Sequence, residues 1–170
     1  MKGKIIIPHT FKYRTTGLWH DVTTIDLFNH KRVVLFGLPG AFTPTCSSKQ
    51  LPGFEEKYNE LKDLGIDEVY CVSVNDAFVM NAWADAQGIE KVKMIPDGDG
   101  TFTRSLGMLV NKPQQGFGYR SWRYAAVINA GVIEYWSEEP GINNFSNDDD
   151  PYQNSTPEKI EKYLHETHTG

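Results

Sequence analysis

Two short runs of apolar residues constrain the fold of this chain more than any other feature. Residues 32–38 read RVVLFGL and residues 68–74 read EVYCVSV. Neither run alternates between apolar and polar residues, which predicts strands that are buried on both faces. Strands of this kind occur in sheets that are covered by helices on both sides, so we expect an α/β protein.

The chain around these runs carries helix and strand signals in alternation. A helix is predicted from about Cys46, with a kink or interruption at Pro52-Gly53. A second helix is predicted over residues 76–87, and we assign its apolar face to five residues: Phe78, Val79, Ala82, Trp83 and Ala86. Residues 92–95 then predict a third strand, and Thr101–Leu106 predicts a short helix.

A hairpin is predicted at the N-terminal end of the chain. Residues 10–22 alternate loosely around Thr16-Gly17, where the glycine suits a tight turn. Thr24 follows as the predicted cap of a short helix.

A second hairpin is predicted later in the chain, where residues 119–129 pair with residues 132–136 across Ala130-Gly131. An acidic stretch over residues 137–154 is predicted as a loop. Thr156 followed by proline then marks the start of a last helix.

This order of elements predicts a mixed β-sheet with helices on both faces and an N-terminal β-hairpin. It is compatible with a thioredoxin-like fold, although the order alone does not select that fold. We find no internal repeat and no linker, so we expect residues 1–170 to form a single domain.

Charge and hydrophobicity disfavour several classes of protein. The 17 basic and 22 acidic side chains leave a net charge of −5, which disfavours binding to the phosphates of nucleic acids. No apolar run approaches the ~20 residues of a membrane span. The N-terminal stretch has only a short apolar run, Ile5–Ile7, before Pro8. We therefore expect no signal peptide, no membrane association and a cytoplasmic location.

Cysteine and histidine are too sparse for a disulfide scaffold or a structural zinc site. The chain has two cysteines, Cys46 and Cys71, and its five histidines are scattered. His165 and His168 share a helical face, and we interpret them as part of a solvated tail. We interpret Asp148–Asp150 in the same way, as a solvated acidic loop. We expect neither a metal ion nor a bound cofactor.

The segment Leu38–Ser48, LPGAFTPTCSS, carries the chemistry. It places Cys46 at the start of a helix, where free N–H groups and the helix dipole favour the thiolate over the thiol. Thr43 is close enough for its hydroxyl to donate to the sulfur or to a bound oxygen. Pro39 and Pro44 stiffen the loop. Cys46 is therefore a candidate nucleophile, and the alternative is a buried structural cysteine.

The same segment matches the P-x-x-x-T-x-x-C signature of peroxiredoxins over Pro39–Cys46. Four stretches resemble the type-five branch of that family: VVLFGLPGAFTPTCSS from Val33, LPGF from Leu51, SVNDAFVMNAW from Ser73 and FGYRSWRYAAVI from Phe117. The similarity runs from about residue 10 to about residue 165. Within this branch, the chain most resembles the peroxiredoxin domain of bacterial hybrid peroxiredoxin/glutaredoxin proteins.

The resemblance implies a thioredoxin-like fold and a thiol-specific peroxidase, an antioxidant enzyme that reduces hydrogen peroxide and organic hydroperoxides to water and alcohols. Cys46 would attack the peroxide and become a sulfenic acid. Thr43 would hydrogen-bond the peroxide and the thiolate, and Pro39 would cover the sulfur. Arg123 matches the family arginine better than Arg120 and would stabilise charge on the reacting atoms. Without the resemblance, Arg123 would be interpreted as a surface strand residue paired with a carboxylate.

We expect further substrate contacts from the same loop, at Gly40, Phe42 and Thr45, with N–H groups near Thr45 orienting the peroxide. Phe42, together with Leu51 and Trp83, could form an apolar wall of the pocket. The alternative is that these side chains simply pack in the core.

Regeneration of Cys46 requires a second thiol. Cys71 lies inside an apolar strand, and we interpret it as a small buried hydrophobic residue rather than a resolving cysteine. The resemblance then implies a one-cysteine peroxidase that is reduced from outside by glutathione, with or without a separate glutaredoxin, and with thioredoxin as the second choice. It also implies a homodimer.

Two other functions remain open at this point. A thioredoxin-like disulfide reductase would carry C-x-x-C, but Thr43 occupies the first of those positions. A peroxide sensor or holdase would use the same oxidation of Cys46 as a signal, with slow or absent turnover.

Overall fold

The computed structural model describes residues 1–145 and 151–167. Its strands are β1 (Thr10–Thr15), β2 (Leu18–Thr23), β3 (Arg32–Gly37), β4 (Glu68–Ser73), β5 (Lys93–Pro96), β6 (Leu109–Lys112), β7 (Gly118–Ser121), β8 (Tyr124–Asn129) and β9 (Val132–Glu138). Its helices are α1 (Thr24–Phe28), α2 (Leu51–Asp63), α3 (Ala77–Gln87), α4 (Thr101–Ser105) and α5 (Pro157–Thr167). A π-helical turn, Cys46–Gln50, leads into α2, and a 3₁₀ turn, Pro113–Gln115, follows β6.

A five-stranded sheet in the order β5-β4-β3-β8-β9 forms the centre of the fold. The first three of these strands are parallel, β8 pairs antiparallel with β3, and β9 pairs antiparallel with β8. Side chains of α2, α3 and α5 pack on one face of the sheet, and those of β1, α1 and α4 pack on the other. The predicted mixed sheet with helices on both faces is confirmed, and β3 and β4 are its central, doubly covered strands.

The N-terminal hairpin is confirmed, but the cap of the helix after it differs from the prediction. Thr16 and Gly17 form the turn, both with positive φ. The side chain of Thr23, not Thr24, caps α1. It accepts a hydrogen bond from the Asp26 N–H, and the Asp26 carboxylate accepts one from the Thr23 N–H. This reciprocal arrangement satisfies two N–H groups, which favours Thr23 over its neighbour.

The interruption predicted at Pro52-Gly53 is confirmed as a change of helix type. Leu51 donates its N–H to the carbonyl of Cys46, five residues earlier, which is a π-helical bond. Pro52 has no N–H to donate, and it lies in the first turn of α2, where an N–H would have no partner within the helix. Cys46 therefore sits on a wider turn than an α-helix would provide.

The predicted apolar face of α3 is confirmed only in part. Trp83 is buried and Val79 packs against the core, as predicted, but Phe78 is 55% exposed and both predicted alanines are also exposed. Ala77 and Met80, which were not predicted, are buried. Because this helix is apolar on several sides, its sequence does not single out one stripe.

The second predicted hairpin is divided in two. Its turn at Ala130-Gly131 and its second strand are confirmed. The first predicted strand, however, splits into β7, which pairs with the unpredicted β6, and β8, which joins the central sheet. The break between β7 and β8 falls at Trp122-Arg123, which frees these two side chains from the alternation of a continuous strand.

Among the helices in the described part of the chain, none is long and apolar enough to cross a membrane. The acidic residues Asp148–Asp150 and His168 lie outside the described residues, so the interpretation of these groups stays a prediction.

One partly buried ion pair joins β3 to β9 and α5. Two guanidinium nitrogens of Arg32 each lie 2.8 Å from an oxygen of the Glu134 carboxylate, and the Tyr163 hydroxyl donates to the same carboxylate at 2.5 Å. The hydrogen bond from Arg32 lowers the pKa of Glu134, and the Tyr163 contact acts in the same direction. The pair therefore stabilises the fold in a pH-dependent way.

Replacing Glu134 with Gln should make unfolding less sensitive to acid. The folded pKa of Glu134 is lower than the unfolded value of about 4.3, so its contribution is complete above that value and is lost as pH falls through the folded pKa. We expect the free energy of unfolding in urea to be lower for Glu134→Gln than for the wild type at pH 7, with a difference that shrinks toward pH 3. The exposed Glu166→Gln serves as control. A difference independent of pH would contradict the prediction.

Candidate active site

Cys46 is buried at the point where the loop after β3 turns into helix. Its side chain has no exposed surface, and its backbone begins the π-helical turn. Two contacts anchor this loop: the Ala41 N–H donates to the side chain of Asn75 at 3.0 Å, and the indole of Trp83 donates to the Ser47 hydroxyl at 2.9 Å. The nucleophile predicted from sequence is therefore held rigidly between the sheet and α3.

Arg123 lies against the sulfur of Cys46, as the sequence resemblance implied. Its Nη1 is 3.4 Å from Cys46 Sγ and 2.5 Å from Oε1 of Gln50, and the residue is only 2% exposed. The ring of Tyr152 packs on the guanidinium at 5.8 Å. The interpretation of Arg123 as a surface strand residue is wrong, because the break between β7 and β8 turns its side chain inward.

The hydroxyl of Thr43 does not follow the expected pattern. It donates to the carbonyl of Gly40 at 2.7 Å rather than to the sulfur of Cys46. A hydroxyl has only one proton, so the Thr43 oxygen is left to accept a hydrogen bond. The donor it suits is the O–H of a hydroperoxide.

A cavity of about 250 Å³ opens beside these residues. Thr43 and Arg123 line it, together with six apolar side chains: Pro39, Pro44, Val110, Phe117, Trp122 and Pro151. The surface of the cavity is therefore mostly apolar, and Arg123 joins it to the sulfur of Cys46.

The predicted substrate contacts Gly40, Phe42 and Thr45 lie in the loop but not in the lining of this cavity. Phe42 is 56% exposed, with a positive φ of 65° that turns its side chain away from the core. Leu51 and Trp83 are fully buried in the core, which confirms the alternative interpretation for these two residues.

The absence of a side chain at Gly40 leaves space for the Arg120 guanidinium. A Cβ at this position would lie 2.1 Å from Nη1 of Arg120. The Arg120 guanidinium can therefore cross the loop only because residue 40 has no side chain.

A hydrogen-bond network that the sequence did not indicate supports the side chain of Arg123. Gln50 accepts from Arg123 and donates to the Ser155 carbonyl at 3.4 Å. Glu139, which is fully buried, accepts from the N–H groups of residues 153, 154 and 155 at 2.8, 2.8 and 2.7 Å, and from the Ser155 hydroxyl at 2.6 Å. Gln50 lies one helical turn after Cys46, and that spacing was the one available signal.

The comparisons with known proteins agree with this geometry. A family model described as Redoxin matches residues 8–153. A peroxiredoxin of Rhizobium etli is 61% identical over 146 residues, which are 86% of this chain and 81% of that protein. The hybrid peroxiredoxin hyPrx5 of Haemophilus influenzae is 46% identical over 168 residues, which are 99% of this chain and 68% of that protein. This chain belongs to the peroxiredoxin family. Its function is that of a thiol peroxidase.

Solved structures confirm the fold of this peroxiredoxin. Reduced Prx3 of Vibrio vulnificus in complex with hydrogen peroxide superimposes with a TM-score of 0.86 at 37% identity, covering 96% of this chain and 98% of that one. The 1-Cys peroxiredoxin of Plasmodium falciparum gives a TM-score of 0.92 at 32% identity, covering 98% and 99%. The thioredoxin-like fold that the resemblance implied, and with which the order of elements is compatible, is therefore confirmed.

The second thiol of this peroxiredoxin is enclosed in the central sheet. Cys71 lies on β4 between Phe36 and Met94 of the neighbouring strands, and it has no exposed surface. Burial raises the pKa of the Cys71 thiol well above its ordinary value, and the nearby Cys46 acts in the same direction. Burial opposes formation of the thiolate that an attack on oxidised Cys46 would need.

A cluster that the spacing of histidines did not predict lies away from this site. Ligand atoms of His9, Asp97 and Asp99 lie within 4.8 Å of one another. The carboxylate of Asp97 accepts from the Phe102 and Thr103 N–H groups, and that of Asp99 accepts from the Thr101 N–H. These bonds give both carboxylates a structural role at the start of α4.

Replacing Glu139 with Gln should loosen the segment that supports Arg123. An amide offers one acceptor oxygen in place of two, and its NH₂ would face the N–H donors of residues 153–155. We expect a loss of about 1–3 kcal/mol in the free energy of unfolding measured in urea, with faster hydrogen exchange of those amides.

Glu138→Gln is the matched control, because within residues 1–145 and 151–167 the neighbouring Glu138 carboxylate accepts one hydrogen bond, from the Trp136 indole. Equal effects of the two substitutions on stability and exchange would show that the four bonds to Glu139 do not hold this segment.

Proposed function

We propose that this peroxiredoxin reduces hydrogen peroxide and small organic hydroperoxides through a one-cysteine cycle at Cys46, with glutathione as the external reductant, alone or with a glutaredoxin. The observation that carries the proposal is the contact of the Arg123 guanidinium with the sulfur, 3.4 Å away, beside a cavity lined by Thr43 and Pro39. A cation at this distance stabilises negative charge on the sulfur and on the peroxide oxygens.

The first step is an in-line displacement on the peroxide. The thiolate of Cys46 attacks one oxygen, the O–O bond breaks, and the other oxygen leaves with a proton as water or alcohol. Cys46 becomes a sulfenic acid, so the sulfur is oxidised and the peroxide reduced. Arg123 would stabilise the developing charge, and the oxygen of Thr43 would accept the O–H of the substrate. Pro39 in the cavity wall would limit the access of water.

The second step uses an external thiol, because the chain offers Cys46 no accessible partner. Glutathione attacks the sulfenic sulfur, which releases water and leaves a mixed disulfide. A second glutathione, or a glutaredoxin, then attacks that disulfide and returns the Cys46 thiol, with glutathione disulfide as the final product. The burial of Cys71 supports this cycle over one with an internal disulfide.

The relatives support the same choice of reductant. The chain resembles the peroxiredoxin domain of proteins fused to glutaredoxin, and it shares 46% identity with a hybrid peroxiredoxin. One of its structural neighbours is described as a 1-Cys peroxiredoxin. We also propose a cytoplasmic homodimer, with thioredoxin as the alternative reductant.

The two cysteines should respond differently to replacement by serine. Cys46→Ser removes the nucleophile, and we expect peroxide consumption with glutathione to fall by about 10³-fold or more. Cys71→Ser is the matched control, since it changes a buried thiol of the same size and should keep the activity. Loss of activity in both folded variants would indicate a disulfide between the two cysteines.

The mass of the oxidised protein should identify the reductant. After one equivalent of hydrogen peroxide in the presence of glutathione, we expect one glutathione adduct that maps to Cys46. A loss of two hydrogens without an adduct would mean that Cys71 resolves the sulfenic acid, which would favour thioredoxin. An unmodified protein would contradict the peroxidase mechanism.

A further inference from the structure

The charged side chains that the described residues bring to the cavity are all of one sign. In the described part of the chain, its lining includes Lys112, Arg120 and Arg123 but no carboxylate. The rest of the lining is mostly apolar, so these charges act through a medium that screens them less than water does. A cavity of this kind favours an anionic group on whatever enters it.

Two of the three cations already have roles within the protein. Arg123 contacts the sulfur of Cys46 and the side chain of Gln50. Lys112 donates to the Asn143 side chain at 2.7 Å and packs on the ring of Trp122 at 5.2 Å. Neither is therefore the first choice for binding a substrate.

Arg120 is held differently, by neutral groups at its edges. Its Nη1 donates to the Pro39 carbonyl at 3.2 Å, its Nε donates to the Phe117 carbonyl at 3.2 Å, and the Phe117 ring lies 5.3 Å from Cζ. No carboxylate of the described residues lies within ion-pair distance of it. Burial lowers the pKa of Arg120, and the nearby Cys46 opposes this effect. Among the described residues, this half-buried cation thus has no acidic partner.

The backbone around the cavity fixes the position of the Arg120 side chain. Gly40 leaves the space through which the guanidinium passes, since a Cβ there would lie 2.1 Å from Nη1. The two backbone acceptors come from opposite sides of the cavity, one in the loop after β3 and the other just before β7. The planar guanidinium is therefore fixed in orientation, and its remaining N–H groups are available to a ligand.

We propose that Arg120 forms a carboxylate-binding subsite in the cavity beside Cys46, so that substrates carrying a carboxylate are preferred over their uncharged analogues. The carboxylate can belong to an organic hydroperoxide or to a thiol reductant such as glutathione, because both must reach the same sulfur. This inference rests on the peroxidase cycle proposed above.

The peroxide arm of the test compares a tertiary alkyl hydroperoxide that carries a terminal carboxylate with its methyl ester. The quantity measured is the ratio of kcat/KM for the acid to kcat/KM for the ester, in each variant separately. We expect Arg120→Gln to lower this ratio by about tenfold relative to the wild type, the size of one charge-assisted contact at a half-exposed site. Because intrinsic reactivity is common to all variants, the change in the ratio reports recognition alone.

The thiol arm compares N-acetylcysteine with its methyl ester. Protein oxidised by one equivalent of hydrogen peroxide is mixed with each thiol, and the rate of mixed-disulfide formation at Cys46 is followed by quenched-flow mass spectrometry. A fall in the acid-to-ester ratio in this arm assigns the subsite to the reductant. A fall in the peroxide arm assigns it to the oxidant.

Two further variants control for loss of charge and loss of structure. Arg104→Gln removes an exposed arginine of α4 that does not line the cavity, and it should leave both ratios at the wild-type value. Arg120→Lys keeps the charge without the planar fork, and we expect it to restore part of the ratio. This variant keeps the test valid where Arg120→Gln folds poorly.

The outcomes separate this inference from the proposed function. Ratios that are equal in the wild type and in Arg120→Gln, in both arms, would overturn the carboxylate subsite while leaving the peroxidase intact. A wild-type protein that reacts with no peroxide would overturn the proposed function, and the subsite with it.

Discussion

Burial of the Arg123 guanidinium is the constraint on which the rest of the site depends. A charge that is 2% exposed needs compensating contacts, because an isolated buried charge costs several kcal/mol. The sulfur of Cys46, the amide oxygen of Gln50 and the ring of Tyr152 supply contacts of this kind. Cys46 and Gln50 belong to the π-helical turn, and Tyr152 belongs to the segment before α5. Both segments must therefore be positioned next to the break after β7, where Arg123 lies.

Glu139 connects this arrangement to the sheet. Its backbone N–H donates to the Arg123 carbonyl at 3.0 Å, and its carboxylate gathers the N–H groups of residues 153–155. The segment that carries Tyr152 and the carbonyl bonded by Gln50 is therefore positioned by the residue that follows β9. Precision at the sulfur comes from a buried network of hydrogen-bonded polar groups, in which the loss of one member leaves others unsatisfied.

The break between β7 and β8 gives the two arginines separate roles in one cavity. In a continuous strand, residues three apart point to opposite faces. Here the chain leaves the small sheet after Ser121 and joins the central sheet at Tyr124, so Arg120 and Arg123 both line the cavity. Arg123 contacts the sulfur of Cys46, whereas Arg120 donates to the carbonyls of Pro39 and Phe117, where we propose that it binds a carboxylate.

The sequence by itself determined the central strands, the hairpin turns and the position of Cys46, because continuous apolar runs, glycine turns and a helix start are local signals. The comparison of motifs also identified Arg123, which its local pattern placed on the surface. Only the tertiary structure decided the buried face of α3, the division of β7 from β8, the orientation of the Thr43 hydroxyl and the network around Glu139. These features depend on which side chains meet across segments about a hundred residues apart, such as Gln50 and Ser155. A single sequence carries no record of such distances, since the contacts form only when the layers pack.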